Sequence, residues 1–159
     1  MYNSLSISKY FVRKALETKT PITPYKLEFL VYFAHGWYLA IDGRCLIDEK
    51  IEAWKHGPVI VSMNRFYKDK KNLKKHSSSE ILKESVQEFL NGIWAYYGHL
   101  NEVEMQSLCL EHNTPWDLSY KKSSGHLVID NEVIKKHYKL LHLCHPEFCD
   151  EDDPISVVA

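Results

Sequence analysis

Glu28, His35 and Asp42 stand seven residues apart in the most apolar part of the chain. On a helix turning about 100° per residue they fall within about 40° of one another. Leu27, Leu30, Val31, Phe33, Ala34, Trp37, Tyr38 and Ile41 surround them. Such a helix is central and largely buried, with one narrow polar line. A buried imidazole or carboxylate needs a partner. Two readings are open. His35 is a core residue satisfied by a carbonyl or a carboxylate, with Gly36 making room for a helix crossing. Alternatively, the polar line faces a groove that receives a partner. General acid–base work by His35 is the weakest use, because no nucleophile or second carboxylate in the sequence obviously joins it.

Two further stretches carry chemistry-bearing residues at turns. In "EAWKHGP", Gly57 tolerates the backbone required before Pro58, which leaves Lys55 and His56 on an exposed turn. In "HNTPW", Trp116 follows a helix-opening proline and His112 precedes it. Tryptophan buries a large area while keeping an N–H to donate, so Trp37, Trp54 and Trp116 suit either a core or a binding hot spot. The candidate partner-binding set is therefore His35, Trp37, Trp54, Lys55, His56, His112 and Trp116, gathered in one groove. The competing reading places all three tryptophans in the core.

Metal chemistry has two weaker candidates. His142, Cys144, His145 and Cys149 are ligand types, but their spacing matches no standard pair of zinc knuckles. Cys109 and His112 share a helical spacing only. No metal and no cofactor is expected. Lys68, Lys70, Lys71, Lys74 and Lys75 form the only basic cluster, without interleaved aromatics, and read as a solvated loop rather than an RNA site.

The elements that hold these residues alternate helix with helix. Residues 5–19 form a short amphipathic helix. Thr23 caps the central helix and Pro24 fills its first position, and "DGR" closes it beyond Ala40. "CLIDEKIEAW" reads as two short strands around Asp48, Glu49 and Lys50, with Pro58 opening a third helix through Val59, Met63, Phe66 and Tyr67. Residues 78–98 give a helix whose apolar face includes Ile81, Leu82, Val86, Phe89, Leu90 and Ile93. Asn101 and Glu104 open the next one as a capping box. A Pro-started turn or short helix, a short strand at "LVID" and a last helix over 131–143 complete the series. The fold class is mainly α: one compact helical domain with a small β-hairpin or minor sheet, over residues 1–146. Residues 147–159 form an acidic, flexible C-terminal tail whose small apolar end suits engagement by a protease.

A chain of 159 residues, 45% hydrophobic and 26% charged, suits one soluble domain with a real core. A net charge of -1 provides no general field for nucleic acid or anionic lipid. No apolar run spans a membrane, no signal peptide is visible, and the 4 cysteines are scattered, so the expected location is the cytoplasm.

Taken in order, "ITPYKLEFLVYFAHGWYLA", "IEAWKHGPV" and "LEHNTPW" strongly resemble the Panacea domain family, also known as SocA-like or phage-associated proteins. Leu27, Tyr32, Ala34, His35 and Trp37 carry the first motif. Glu52, Ala53, Trp54, Gly57 and Pro58 carry the second, and Pro115 and Trp116 after His112 the third. The resemblance extends over roughly residues 5–142. It implies a helical domain without enzyme activity, an antitoxin that neutralises a cognate toxin protein by direct binding. Two other functions stay open. One is an adaptor that delivers its partner to a cytosolic protease. The other is a small metal-dependent hydrolase using His35, His112 or Glu52, although no HExxH, CxxC or nucleophile elbow supports it.

Overall fold

The computed structural model describes residues 1–74, 80–122 and 127–144. Its elements run α1 (Ser4–Glu17), α2 (Pro24–Asp42), β1 (Ile51–Trp54), β2 (Gly57–Ile60), α3 (Val61–Tyr67), a 3-10 turn (Lys70–Lys74), α4 (Glu84–Tyr97), α5 (Glu102–Leu110), α6 (Pro115–Lys122), β3 (Leu127–Val128) and α7 (Asn131–Cys144). The domain is mainly helical with a minor antiparallel sheet in the order β2-β1-β3.

Helix α2 is the axis. Thr23 accepts from the Lys26 amide, Pro24 sits at the first position, and the helix stops at Asp42 before Gly43. Every residue from Lys26 to Leu39 is buried. The remaining elements pack around this rod, and α7 is its most extensive partner. Asn3 caps α1 by accepting from the Leu5 amide. Asn101 and Glu104 form the expected reciprocal capping box on α5.

The hairpin differs from its expected position. Asp48, Glu49 and Lys50 are not its turn. The Glu49 carboxylate instead accepts from the Ser4 amide at 3.0 Å and from the Ser62 hydroxyl at 3.2 Å, so that it caps the start of α1. The turn is Lys55-His56, with Trp54 opposite Gly57 and Ala53 opposite Pro58. Pro58 therefore starts no helix. It lies in edge strand β2, where a residue without an N–H is tolerated. Gly57 has φ +135°, and a Cβ there would approach the Phe29 ring at 3.2 Å. Helix α3 consequently begins three residues after Pro58, at Val61.

Helix α4 is shorter than its apolar pattern implies. It starts at Glu84, and Ile81 lies outside it with 92% of its surface exposed. Val86, Phe89, Leu90 and Ile93 are its buried face. Four of the clustered lysines lie on an ordered segment: Lys68 caps α3, and Lys70, Lys71 and Lys74 lie in the 3-10 turn. Lys75, His145, Cys149 and the acidic tail lie outside the described residues.

Candidate partner-binding face

The polar line of α2 is divided among three separate partnerships. His35 is fully buried. Its Nε2 lies 2.9 Å from Asn131 Oδ1 on α7, and the Ile47 amide approaches Nδ1 at 3.4 Å. Burial lowers its pKa, against the opposing pull of Asn131, which favours a neutral ring. Asp42 pairs with Arg44 at the exposed end of the helix. Glu28 accepts from the Ile60 backbone and the Asn64 side chain, yet burial pushes its pKa up to about 8.

Gly36 explains itself in the same seam. A Cβ on it would collide with Cε2 of Tyr138, so the α7 ring rests directly on the α2 backbone. Trp37 is 1% exposed, donates to the Tyr97 hydroxyl at 2.7 Å and meets Tyr138 edge-on at 5.3 Å. His35 and Trp37 thus belong to the interior. In this conformation neither can touch a partner.

The other sequence candidates come to the surface. Trp54 and Trp116 are half-buried; Lys55, His56 and His112 are exposed. The second and third motifs meet: Trp116 Nε1 donates to the Trp54 carbonyl at 2.6 Å, and the Trp116 ring stacks on Tyr120 at 4.8 Å. Trp54 Nε1 donates to Glu52 at 2.7 Å. Beside Trp116, Thr114 caps α6 by accepting from the Asp117 amide, and Asp117 accepts from the Asn113 amide and from Lys121. Lys121 and that amide hold the Asp117 carboxyl below the usual range. His112 Nδ1 lies 3.4 Å from the same carboxylate.

A cleft of about 250 Å³ adjoins this surface, lined by Tyr25, Phe29, His56, Glu102, Val103 and Gln106. Gln106 donates to the His56 carbonyl at 2.9 Å, which ties the hairpin turn to α5. Tyr25 is 56% exposed and Val103 65%, so the cleft has apolar side chains open to solvent on two of its elements. Of this lining, the candidate set read from the sequence held His56 alone. Tyr25 and Phe29 are hidden within the apolar run of α2. Helix α5 has apolar residues on both faces, with Met105 and Cys109 inside and Val103 outside, so its periodicity does not single out the exposed one.

Among the described residues, no three His, Cys, Asp or Glu side chains gather as a metal site. Cys109 is buried with its thiol pKa pushed up by desolvation, while His112 points to solvent. No helix among the described residues is long and apolar enough to cross a membrane.

The family model for the SocA-like antitoxin, Panacea domain, matches residues 29–117, a narrower span than the motifs implied. Antitoxin SocA of Caulobacter vibrioides is 41% identical over 54 residues. That stretch is 34% of this chain and 29% of the relative, so the likeness covers under a third of the relative's length. No solved structure matches significantly. The matched segment holds most of α2, the hairpin, the cleft wall on α5 and the start of α6, and the chain belongs to the SocA-like antitoxin family that carries the Panacea domain.

Proposed function

We propose that this chain neutralises a cognate toxin protein by direct binding, through the face built from the Lys55-His56 turn, Trp54, Trp116 and the adjoining cleft. One observation carries the reading. Residues far apart in the matched segment that are not enclosed in the core converge on one surface, joined by the Trp116 to Trp54 hydrogen bond. Half-buried tryptophans beside an aromatic-walled cleft are the composition of a binding hot spot. Lys55 and His56 stand at its edge, where charge steers encounter more than it adds affinity. His112, beside Asp117 next to Trp116 in the chain, is assigned to the same rim. His35 and Trp37 act from below, by fixing α2 and hence Tyr25 and Phe29. The chain acts by occupying its partner rather than by catalysis, within the cytoplasm.

The test is co-expression with the neighbouring reading frame. Expressed alone, that frame is expected to arrest growth; expressed with this chain, growth returns and the two proteins copurify. A harmless neighbour, or rescue without a complex, overturns the reading. Rescue accompanied by disappearance of the partner instead of a stable complex would identify a protease adaptor.

A further inference from the structure

Glu28 stands apart from the rest of the polar line, because it lines a second cleft. This one, about 280 Å³, lies between the first turns of α2 and the end of α3. Tyr25 and Glu28 form one wall; Asn64, Tyr67, Lys68 and Lys70 form the other. Tyr25 also lines the first cleft, so it forms the ridge between the two. Glu28 is only 5% exposed, whereas both lysines are exposed. Among the described residues, no ion pair joins either lysine to Glu28.

The charges decide what fits. Burial dominates the two hydrogen bonds that favour ionised Glu28, and its pKa, pushed up to about 8, keeps it mostly protonated at pH 7. Tyr67 is held neutral by burial and shares a 2.6 Å hydrogen bond with Ser8 of α1. Tyr25 adds a phenol to the lining, and the buried Ile60 amide of β2 lies behind it, bonded to Glu28. The cleft is therefore lined by two lysines and an uncharged acid; the nearest carboxylates are already engaged, Asp69 by the Lys71 amide and Glu102 by the Thr23 hydroxyl at the start of α2. An entering cation would have to pass both lysines and ionise Glu28. An anion meets attraction from both lysines and a proton donor at the floor.

We propose that this cleft binds a carboxylate from an acidic side chain of a partner protein, with the Glu28 carboxyl at its floor and Lys68 and Lys70 at its rim. The partner's carboxylate accepts the Glu28 proton in a hydrogen bond while the lysines balance its charge. Together with the first cleft, this makes a two-sided anchor on either side of Tyr25. The source of the acidic segment rests on the toxin-binding reading; the site itself does not.

The linkage has a definite sign. The anion binds the protonated form, so affinity is full below the Glu28 pKa. It falls by up to about tenfold per pH unit once the pH passes about 8. The experiment uses the full chain, 15N-labelled, with blocked hexaglutamate, hexalysine and inorganic phosphate as separate probes between pH 7 and 9.5. Hexaglutamate is expected to shift the Ile60 amide and Asn64 side-chain resonances and to weaken with rising pH. Glu28→Gln, a permanent neutral donor, is expected to bind with a flat profile over the same range. Lys68→Ser with Lys70→Ser should weaken binding by roughly three- to tenfold. No shift at these resonances, a pH-independent wild type, hexalysine in the cleft, or phosphate binding where hexaglutamate does not, each overturns the proposal. Because no toxin is present, failure here leaves the antitoxin reading standing, and failure of co-expression rescue leaves this result intact.

Discussion

The seam between α2 and α7 and the face formed by the hairpin turn with α6 use similar side chains to opposite ends. Each has a tryptophan whose N–H is spoken for, Trp37 by the Tyr97 hydroxyl and Trp116 by the Trp54 carbonyl. Each has a histidine beside a polar partner, His35 with Asn131 and His112 with Asp117. In the seam everything is enclosed: His35 is 0% and Trp37 1% exposed. On the turn face the tryptophans are half-covered and His112 is 77% exposed. A satisfied hydrogen bond therefore does not tell a core residue from a surface one; the cover around it does. The seam also borrows its cover from outside the matched segment, because Asn131 and Tyr138 lie beyond residue 117. The turn face is built within that segment from Trp54, His56, Gln106 and Trp116.

The largest effect that separates the two regions is expected from Trp37→Ala. It removes a fully enclosed indole and leaves the buried Tyr97 hydroxyl without its donor, costing about 3–5 kcal/mol. For a domain of this size that lowers Tm by roughly 6–20 °C. Thermal and urea unfolding of the variant would check it. A loss below about 1 kcal/mol would mean that the seam is not the rigid half of the molecule.

Much of this arrangement is legible in the sequence, and the failures share a cause. Thr23 and Pro24 mark the start of α2, Asn101 and Glu104 mark α5, and the wheel shows that His35 is constrained, because caps and helical periodicity are local signals. The hairpin is displaced from its expected register because Glu49, a plausible turn residue, is taken by the start of α1, 45 residues away. Ile81 is misassigned because an apolar residue continues the period of α4 past the point where the helix begins. Which tryptophans are enclosed depends on α7, whose contribution at Tyr138 has no mark in the "HGW" motif except the glycine that receives it. The two clefts combine residues from distant elements that each look ordinary, so no motif contains them.

Gly36→Ala sharpens the comparison with a smaller change. Alanine gains about 1 kcal/mol of helix propensity, but its methyl would collide with the Tyr138 ring. That ring is itself 3% exposed and packed edge-on against Trp37, so it cannot swing away without moving its neighbours. Overpacking of this kind costs about 1–3 kcal/mol and outweighs the gain. The expected outcome is a net loss of stability despite the better helix former, read as a lower urea midpoint at unchanged m-value. A stabilised variant would show that α7 lifts off α2 easily. Tyr138→Ala should relieve the clash, so the double variant should lose less than the sum of the singles.

The smallest stability effect is expected where the functional effect is greatest. Trp116→Ala removes a half-buried ring, its stack on Tyr120 and its hydrogen bond to the Trp54 carbonyl, which water can replace at this partly open site. The stability cost should be near 1 kcal/mol, a fraction of that for Trp37→Ala. If the turn face is the toxin-binding surface, the same change should weaken the complex by at least 2 kcal/mol, about thirtyfold, because tryptophans at a dry interface centre dominate affinity. Calorimetric titration with the copurifying partner, run beside the unfolding curve, measures both quantities on one preparation. A variant that is as unstable as Trp37→Ala would place Trp116 in the core. A variant that is stable and binds unchanged would move the interface away from this face, and with it the reason why Trp54 and Trp116 are left half-covered while Trp37 is sealed.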